Sequence, residues 1–270
     1  MKIGLGTLAY NAGGHTSKQL DSILSHSKHD IEVFLFLHNS RFQELIDECE
    51  QLAETYKCKY FPYGKNRGNG CSHNQAIQLA YGQYNCDIYI GGSQDVYFNT
   101  KTAFDEWIEK CIPYLDSNYM VSNADAPPPK PAPFAFTIYT KFGFDQVGCL
   151  DENFFPAQYE DMDFHRRCCF AMKGKNEDFW NNSYREDVLS DSSHPGMLSR
   201  TDMSLAVQQF YVTSPLNEIY YVRKWGGLPG HEKFDHPFNN TSIQYKIASE
   251  DCRSPYGEQY DRKDQGIVRI

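Results

Sequence analysis

The chain has 270 residues, which suits one large α/β domain or two small ones. Hydrophobic residues make up 40% of it, enough for a packed core, and the net charge of −9 argues against binding along a nucleic-acid backbone. The nine cysteines show no C-x-x-C spacing, the start lacks a signal-peptide core, and no apolar run reaches transmembrane length. We therefore expect a soluble, cytoplasmic protein with free thiols and no transmembrane segment.

Strands and helices alternate over the first hundred residues. Apolar runs predict strands at residues 2–9, 31–37, 59–61 and from 87 onward, and amphipathic spacing predicts helices at 17–26, 41–56 and 72–81. Such strands are too apolar to face water, so this order indicates a mainly parallel sheet covered by helices on both faces. A loop rich in glycine and asparagine, residues 64–70, precedes the third helix.

The second half of the chain has a different character. Five of the thirteen prolines fall within residues 126–133, which predicts an extended segment or lid. The elements that follow are a β-rich stretch at 134–139, a helix opening with acids at 160–172, a polar loop at 174–200, a helix at 203–211 and a short segment at 219–222. Nothing in the sequence marks a linker, so we expect a single domain.

The most informative stretch is residues 87–98. Its apolar run ends in two glycines and is followed by a lone carboxylate, Asp95. Open α/β sheets bind ligands beyond the carboxyl ends of their strands, and an acid there is suited to holding a divalent cation against nucleotide phosphates. A simple turn is the alternative, since glycine and aspartate are ordinary turn residues.

Three other groups of residues carry possible chemistry. The glycine loop, with Lys65 and Arg67, could hold a phosphate or nucleoside edge, although it lacks the P-loop spacing and could be a surface turn. Glu160 and Asp161 open a helix, where acids also serve as caps, but a carboxylate there could take a proton from a sugar hydroxyl. His194, in a polar turn, would suit Mn²⁺ together with Asp95.

In this order the motifs resemble the nucleotide-diphospho-sugar glycosyltransferases of the GT-A fold, in particular the large family 2-like group. The resemblance covers roughly residues 1–230. It rests on Asn66-Arg67-Gly68, Asn74-Gln75-Ala76-Ile77, Ser93-Gln94-Asp95-Val96, the run from Phe142 to Glu152, Phe154-Phe155, Glu160-Asp161-Met162-Asp163 and Lys224-Trp225-Gly226-Gly227. It implies a single Rossmann-like α/β domain whose central, mainly parallel mixed sheet is flanked by helices.

The resemblance also implies a domain plan and roles. Residues 1–100 would form the nucleotide-binding half, 101–230 the acceptor half, and 231–270 an extension that packs on or closes over the cleft. The residues implied to contact the nucleotide are Thr7, Ala9, Tyr10, Asn39, Arg67 and Asn74, with Arg223 or Lys224 on the leaving diphosphate. Asp95 and His194 would hold Mn²⁺ or Mg²⁺. Asp161 would be the general base, with Glu160 beside it.

These roles predict an enzyme that moves a hexosyl unit from a nucleotide diphosphate sugar, with UDP-sugar the commonest donor in this fold, to a glycan or other hydroxyl acceptor. One departure matters: the family's metal motif is Asp-x-Asp, and Ser93 stands where the first acid belongs. A non-catalytic sugar-nucleotide or carbohydrate-binding protein with a degenerate metal site is therefore an alternative. A sugar-1-phosphate nucleotidyltransferase is another, although its glycine-rich N-terminal signature is missing. The sequence leaves inversion and retention equally open.

Overall fold

The computed structural model describes residues 1–10, 14–38, 42–63, 66–116, 119–122, 134–171, 189–191, 197–199 and 215–243. The strands are β1 (Lys2–Ala9), β2 (Asp30–His38), β3 (Lys59–Tyr63), β4 (Ile88–Ser93), β5 (Val96–Phe98), β6 (Met120–Ser122), β7 (Phe136–Tyr139), β8 (Leu189–Asp191) and β9 (Met197–Ser199). The α-helices are α1 (His15–Leu24), α2 (Gln43–Tyr56), α3 (Asn69–Gln78), α4 (Ala103–Cys111), α5 (Lys141–Val147), α6 (Glu160–Ala171) and α7, residues 215–225.

The main sheet has seven strands in the order β3-β2-β1-β4-β7-β6-β8. Strands β3, β2, β1 and β4 are parallel, β7 is antiparallel to β4 and β6, and β8 is parallel to β6. Strands β5 and β9 form a separate antiparallel pair. The predicted mainly parallel mixed sheet is therefore confirmed. The chain winds outward from β1 to β3 and then returns to place β4 on the other side of β1, so the strand order reverses between β1 and β4.

Helices cover both faces of this sheet because successive strand residues point to opposite sides. Ile88 and Ile90 of β4 join a core with Leu20 of α1, Leu45 of α2 and Trp107 of α4. Tyr89, between the two isoleucines, faces the opposite core, to which α3, α5 and α6 contribute Ala76, Ile77, Val147, Phe164 and Cys168. The period-2 alternation of apolar side chains is thus satisfied on both faces, as a buried parallel strand requires.

A third, smaller core holds α7 against α6 and the segment before it. Phe154, Tyr220, Tyr221 and Trp225 are its buried members. The chain after α7 folds back on these helices: the backbone amides of residues 233 and 234 both donate to the Trp225 carbonyl at 3.0 Å. The division of the chain into two halves and an extension stays a prediction.

Several element predictions need correction. Helix α3 begins at Asn69, three residues before the predicted start, and continues into a π-helical turn at Leu79–Gln83. The short segment predicted at 219–222 lies inside α7. The polar loop predicted at 174–200 includes strands β8 and β9. The proline-rich segment at 126–133 and the helix predicted at 203–211 lie outside the described residues.

The cysteines only partly follow the prediction of free thiols. Of the eight cysteines in the described residues, seven are not disulfide-bonded, at positions 49, 58, 71, 86, 111, 168 and 169. Cys149, which is fully buried, is disulfide-bonded, so the prediction was wrong for this residue. Within the described parts of the chain, no helix is long and apolar enough to cross a membrane.

Candidate active site

The carboxyl ends of β1 and β4 are joined by two glutamine side chains. The Gln94 amide pairs with the backbone of Tyr10: its Oε1 accepts from the Tyr10 N–H at 3.1 Å, and its Nε2 donates to the Tyr10 carbonyl at 2.9 Å. Below it, Gln19 accepts the Thr7 hydroxyl at 2.5 Å and donates to the Ser93 carbonyl at 2.6 Å. The crevice at the reversal of strand order, the usual ligand site in such sheets, therefore has a fixed floor.

Asp95 lies in the turn directly after this floor and is partly exposed. The side-chain oxygen and nitrogen of Gln94 are both bonded to the Tyr10 backbone. Within Ser93-Gln94-Asp95, the carboxylate of Asp95 is therefore the group suited to a cation. No cluster of three or more His, Cys, Asp or Glu side chains that could hold a metal occurs in the described residues, and His194 lies outside them. One carboxylate fits Mg²⁺ or Mn²⁺ when substrate phosphates and water complete the coordination shell.

The end of β2 is tied to the glycine loop by His38. Its Nδ1 lies 2.9 Å from the Asn66 side-chain oxygen, and its Nε2 lies 2.7 Å from the Ser72 hydroxyl. Burial lowers the pKa of His38 to about 4, so the ring is neutral at pH 7, with Nδ1 donating to Asn66 and Nε2 accepting from Ser72. Beyond them the Arg67 guanidinium lies 4.7 Å from the Tyr63 ring centre and remains partly exposed.

The acid pair begins α6, on the α3 side of the sheet. Glu160 is buried, and its Oε1 accepts from the Asn69 side-chain amide at 2.5 Å. Asp161 is partly exposed, and its Oδ1 accepts from the Met162 amide at 2.7 Å. Burial and the neighbouring Asp161 charge raise the pKa of Glu160 to about 8, and burial raises the pKa of Asp161 to about 6. Burial therefore favours the protonated form of both acids, and the charge of Asp161 adds to this effect on Glu160.

Helix α3 is fastened to the segment that leads to this pair. The Asn74 side chain accepts from the Leu150 N–H at 2.8 Å and donates to the Leu150 carbonyl at 2.9 Å and to Glu152 at 3.1 Å. Gly68 has φ of +88°, and a Cβ there would lie 2.9 Å from the Phe155 ring. The glycine loop, helix α3 and residues 150–155 therefore form one packed unit.

Behind the acid pair lies a buried charge network between α6, α7 and the turn at residue 151. Lys224 is fully buried, with its Nζ 2.8 Å from Asp151 and 2.5 Å from Asp163. Asp163 also accepts from Arg167 and from the Trp225 indole, each at 2.9 Å. Burial alone would raise the pKa of Asp163, but Lys224 and Arg167 outweigh it and lower the pKa. This network fixes α7 on α6.

The predicted nucleotide-binding residues therefore have different surroundings. Tyr10 and Arg67 are partly exposed at the strand ends, and Arg223 is exposed on α7. Thr7 and Ala9 are fully buried, so through their side chains they shape the floor of the crevice and do not face it. Asn39 lies outside the described residues.

Asn74 and Lys224 were predicted to contact the nucleotide and its diphosphate, but their side chains have partners within the protein. The Asn74 amide is used to hold residues 150–152, and the Lys224 ammonium is enclosed by two carboxylates. Both act on the architecture of the site, and we do not assign either of them a nucleotide contact.

Sequence reasoning missed Gln94, Asn69 and His38. Each lies beside a residue that was singled out: Gln94 within the Ser-Gln-Asp stretch, Asn69 in the glycine loop, and His38 at the end of β2. For Gln94 and His38, position at the carboxyl end of a strand was the available signal, but the partners of all three residues are distant in the sequence.

No protein-family model and no curated protein matches the chain. Solved structures do match. A mannosyltransferase, PcManGT from Pyrobaculum calidifontis, in complex with GDP-Man and Mn²⁺, aligns with 62% of this chain and 52% of its own, at a TM-score of 0.50 and 12% identity. TarS from S. aureus aligns with 82% of this chain and 40% of its own, at a TM-score of 0.50 and 16% identity. The chain thus spans about half the length, or less, of these two structures. At such low identities, the structural likeness shows the fold alone. The chain has the GT-A glycosyltransferase fold.

Proposed function

We propose that the chain is a glycosyltransferase that moves a hexosyl unit from a nucleotide diphosphate sugar to a hydroxyl acceptor with the help of Mn²⁺ or Mg²⁺. The observation that carries the proposal is the arrangement of acids. Asp95 stands at the reversal of strand order, where open α/β sheets bind nucleotides, and a carboxyl pair with raised pKa values opens α6. A fold can host many activities, so the argument rests on these side chains.

On the donor side, Tyr10 and Arg67 offer an aromatic ring and a guanidinium at the strand ends, the groups that stack on a base and pair with phosphate. Arg223 is exposed on α7 and would pair with the leaving diphosphate. Asp95, with His194 as a further ligand, would hold the cation. When bound, the cation neutralises charge on the departing nucleotide. UDP-sugar is the donor to test first because it is the commonest in this fold. GDP-sugar is the second, because PcManGT is in complex with GDP-Man.

On the acceptor side, Asp161 is the base. Its carboxylate is partly exposed. Its pKa, raised to about 6, still lies below 7, so the group is ionised at pH 7, and the raised pKa makes it a better proton acceptor than an ordinary aspartate. The acceptor oxygen forms the new bond to the anomeric carbon as its proton passes to Asp161. The bond from that carbon to the diphosphate oxygen breaks, and its electron pair leaves with the diphosphate.

Calorimetry tests the donor half of the proposal. UDP, GDP and their common sugar conjugates are titrated with and without Mn²⁺ into wild type, Asp95→Asn and, as a control, Asp47→Asn, an exposed aspartate of α2. We expect metal-dependent binding that Asp95→Asn abolishes and Asp47→Asn preserves. Absence of nucleotide binding under every condition would overturn the proposal. Metal-independent binding without transfer would favour the non-catalytic alternative that Ser93 suggests.

A second experiment tests the base. Asp161→Asn should retain donor binding and lose transfer or slow donor hydrolysis by roughly 10²–10⁴-fold, the usual range for a general base. Normal turnover by this variant would show that the base lies elsewhere.

A further inference from the structure

The Glu160 carboxyl has an unusual environment for an acid beside an active site. Its Oε1 accepts from Asn69, whereas its Oε2 is buried and finds no hydrogen-bond partner among the residues that the structure describes. An ionised oxygen buried without a donor is costly, so this carboxyl is most stable when it carries a proton. Because Oε1 is the accepting oxygen, the proton belongs on Oε2.

The donor to Oε1 carries no charge. A lysine or arginine at position 69 would favour the charged form through its own charge, whereas the hydrogen bond from the Asn69 amide lowers the pKa of Glu160 by less than burial raises it. Among the described residues, Asp161 from α6 and Tyr139 from β7 are titratable groups that face Glu160. The pKa of buried Tyr139 is raised well above its usual value by burial and by both acids, so Tyr139 is neutral as well. Asp161 then carries the single negative charge of this group.

The position of Asn69 is fixed from two sides. Its backbone amide donates to the Pro156 carbonyl at 2.6 Å, and a Cβ on the preceding Gly68 would lie 2.9 Å from the Phe155 ring. The turn at residues 155–156 leads directly to Glu160. Asn69 therefore reaches Glu160 from the glycine loop, the part of the chain that carries Arg67, and links the donor side to the acid pair.

We propose that Asn69 and Glu160 are positioning residues for Asp161: Asn69 fixes the place of the Glu160 carboxyl, which its burial keeps uncharged, so that Asp161 is the carboxylate of the pair that takes the proton of the acceptor hydroxyl. The inference rests on the proposed function for the role of Asp161. The protonation of Glu160 itself can be measured without any substrate.

The test is a pH titration of side-chain carboxyl carbons by NMR, on protein labelled with ¹³C-glutamate and ¹³C-aspartate. Wild type is compared with Glu160→Gln, Asn69→Ala and a control, Glu218→Gln, an exposed glutamate that accepts from Tyr159 near the same helix start. We expect one glutamate signal to titrate near pH 8 in wild type and in the control, and to be absent from Glu160→Gln. In Asn69→Ala the titration midpoint of this glutamate signal should rise by about one pH unit, because the charged form loses one hydrogen bond.

A kinetic readout separates positioning from simple support of the fold. The pH dependence of transfer, or of slow donor hydrolysis, should lose its alkaline limb near pH 8 in Glu160→Gln, and that limb should move to higher pH in Asn69→Ala. A uniform loss of rate with unmoved limbs, or a Glu160 signal that titrates near its ordinary value of 4.5, would overturn the proposal. Failure of wild type to bind any nucleotide sugar would refute the proposed function, and with it the role of Asp161, while the titration would still decide whether Glu160 is protonated.

Discussion

Replacement of Lys224 by methionine gives the sharpest test of the assignment of this residue to the core. The side chains of Lys224, Asp151 and Asp163 are all fully buried, with Nζ–O distances of 2.8 and 2.5 Å. With Arg167, the wild-type network has two positive and two negative charges, and the variant keeps one uncompensated negative charge. Breaking a buried pair by removing one partner costs about 3–5 kcal/mol, a large share of a typical stability of about 5–15 kcal/mol.

The assay is urea unfolding followed by circular dichroism, with thermal unfolding beside it. A loss of about 3–5 kcal/mol corresponds to a fall of roughly 6–20 °C in the midpoint, at about 2–4 °C per kcal/mol for a chain somewhat smaller than this one. The matched control is Arg223→Met, one residue earlier on α7 and exposed. We expect the control to unfold like wild type and to bind the donor diphosphate more weakly. The Lys224 variant should instead lose stability and, where it is folded, keep its affinity for the diphosphate.

The pH dependence sharpens this test. Asp163 has a lowered pKa in the folded state, so its contribution to stability is present above its unfolded value of 3.8 and is lost as pH falls through the folded value. Without Lys224, the burial of Asp163 favours its protonated form, and acid pH neutralises the uncompensated charge. The stability gap between variant and wild type should therefore narrow as pH falls. A loss below about 1 kcal/mol, or a gap that does not change with pH, would refute the reasoning.

Three further predictions follow from other parts of the site. Ser93 is exposed, so Ser93→Asp should restore a second acid without disturbing packing and tighten Mn²⁺ binding in the presence of UDP on the order of tenfold by calorimetry; unchanged affinity would mean that the ion is not at this strand end. Gly68→Ala should cost about 1–3 kcal/mol in urea unfolding, because φ is +88° and the new Cβ meets Phe155; an unaltered midpoint would contradict the close packing. Glu160 has a pKa raised from 4.5 to about 8, so it makes wild type less stable as pH rises through that interval, and Glu160→Gln should gain stability relative to wild type between pH 5 and pH 8; a constant difference would show that Glu160 titrates normally.

The sheet was predictable because its signal is local. The apolar runs of β1, β2 and β4 admit few alternatives, and their order with the helices between them implies a parallel sheet. The start of α3 was not predictable in this way. Gly68, Asn69 and Gly70 are turn residues by propensity, and the contacts with Phe155 and Pro156 that begin the helix there come from a segment more than eighty residues away.

The roles of individual residues at the candidate site were not predictable from the sequence for the same physical reason. A lysine followed by Trp225-Gly226-Gly227 has the appearance of an anion-binding element, and only the fold brings Asp151, 73 residues earlier, within 2.8 Å of its ammonium. Asn74 is similar, because its amide partners lie 76 residues further along the chain. Residue type and spacing indicated which segments belong to the candidate site. Which side chains face a ligand and which face each other depends on long-range contacts.

In the proposed donor site, the incomplete motif Ser93-Gln94-Asp95 would leave Asp95 as the metal-binding acid. The middle residue of a metal motif is free to do other work, and here the Gln94 amide ties β4 to the Tyr10 backbone at the end of β1. That pairing fixes the turn that carries Asp95, which limits the entropy lost when a cation binds. With one carboxylate in place of two, the protein contributes less negative charge to the cation, so affinity should depend more strongly on the diphosphate itself. Metal and donor would then bind together, and calorimetry should show weak Mn²⁺ binding alone and much tighter binding once UDP or GDP is present. Equal Mn²⁺ affinity with and without nucleotide would contradict this dependence.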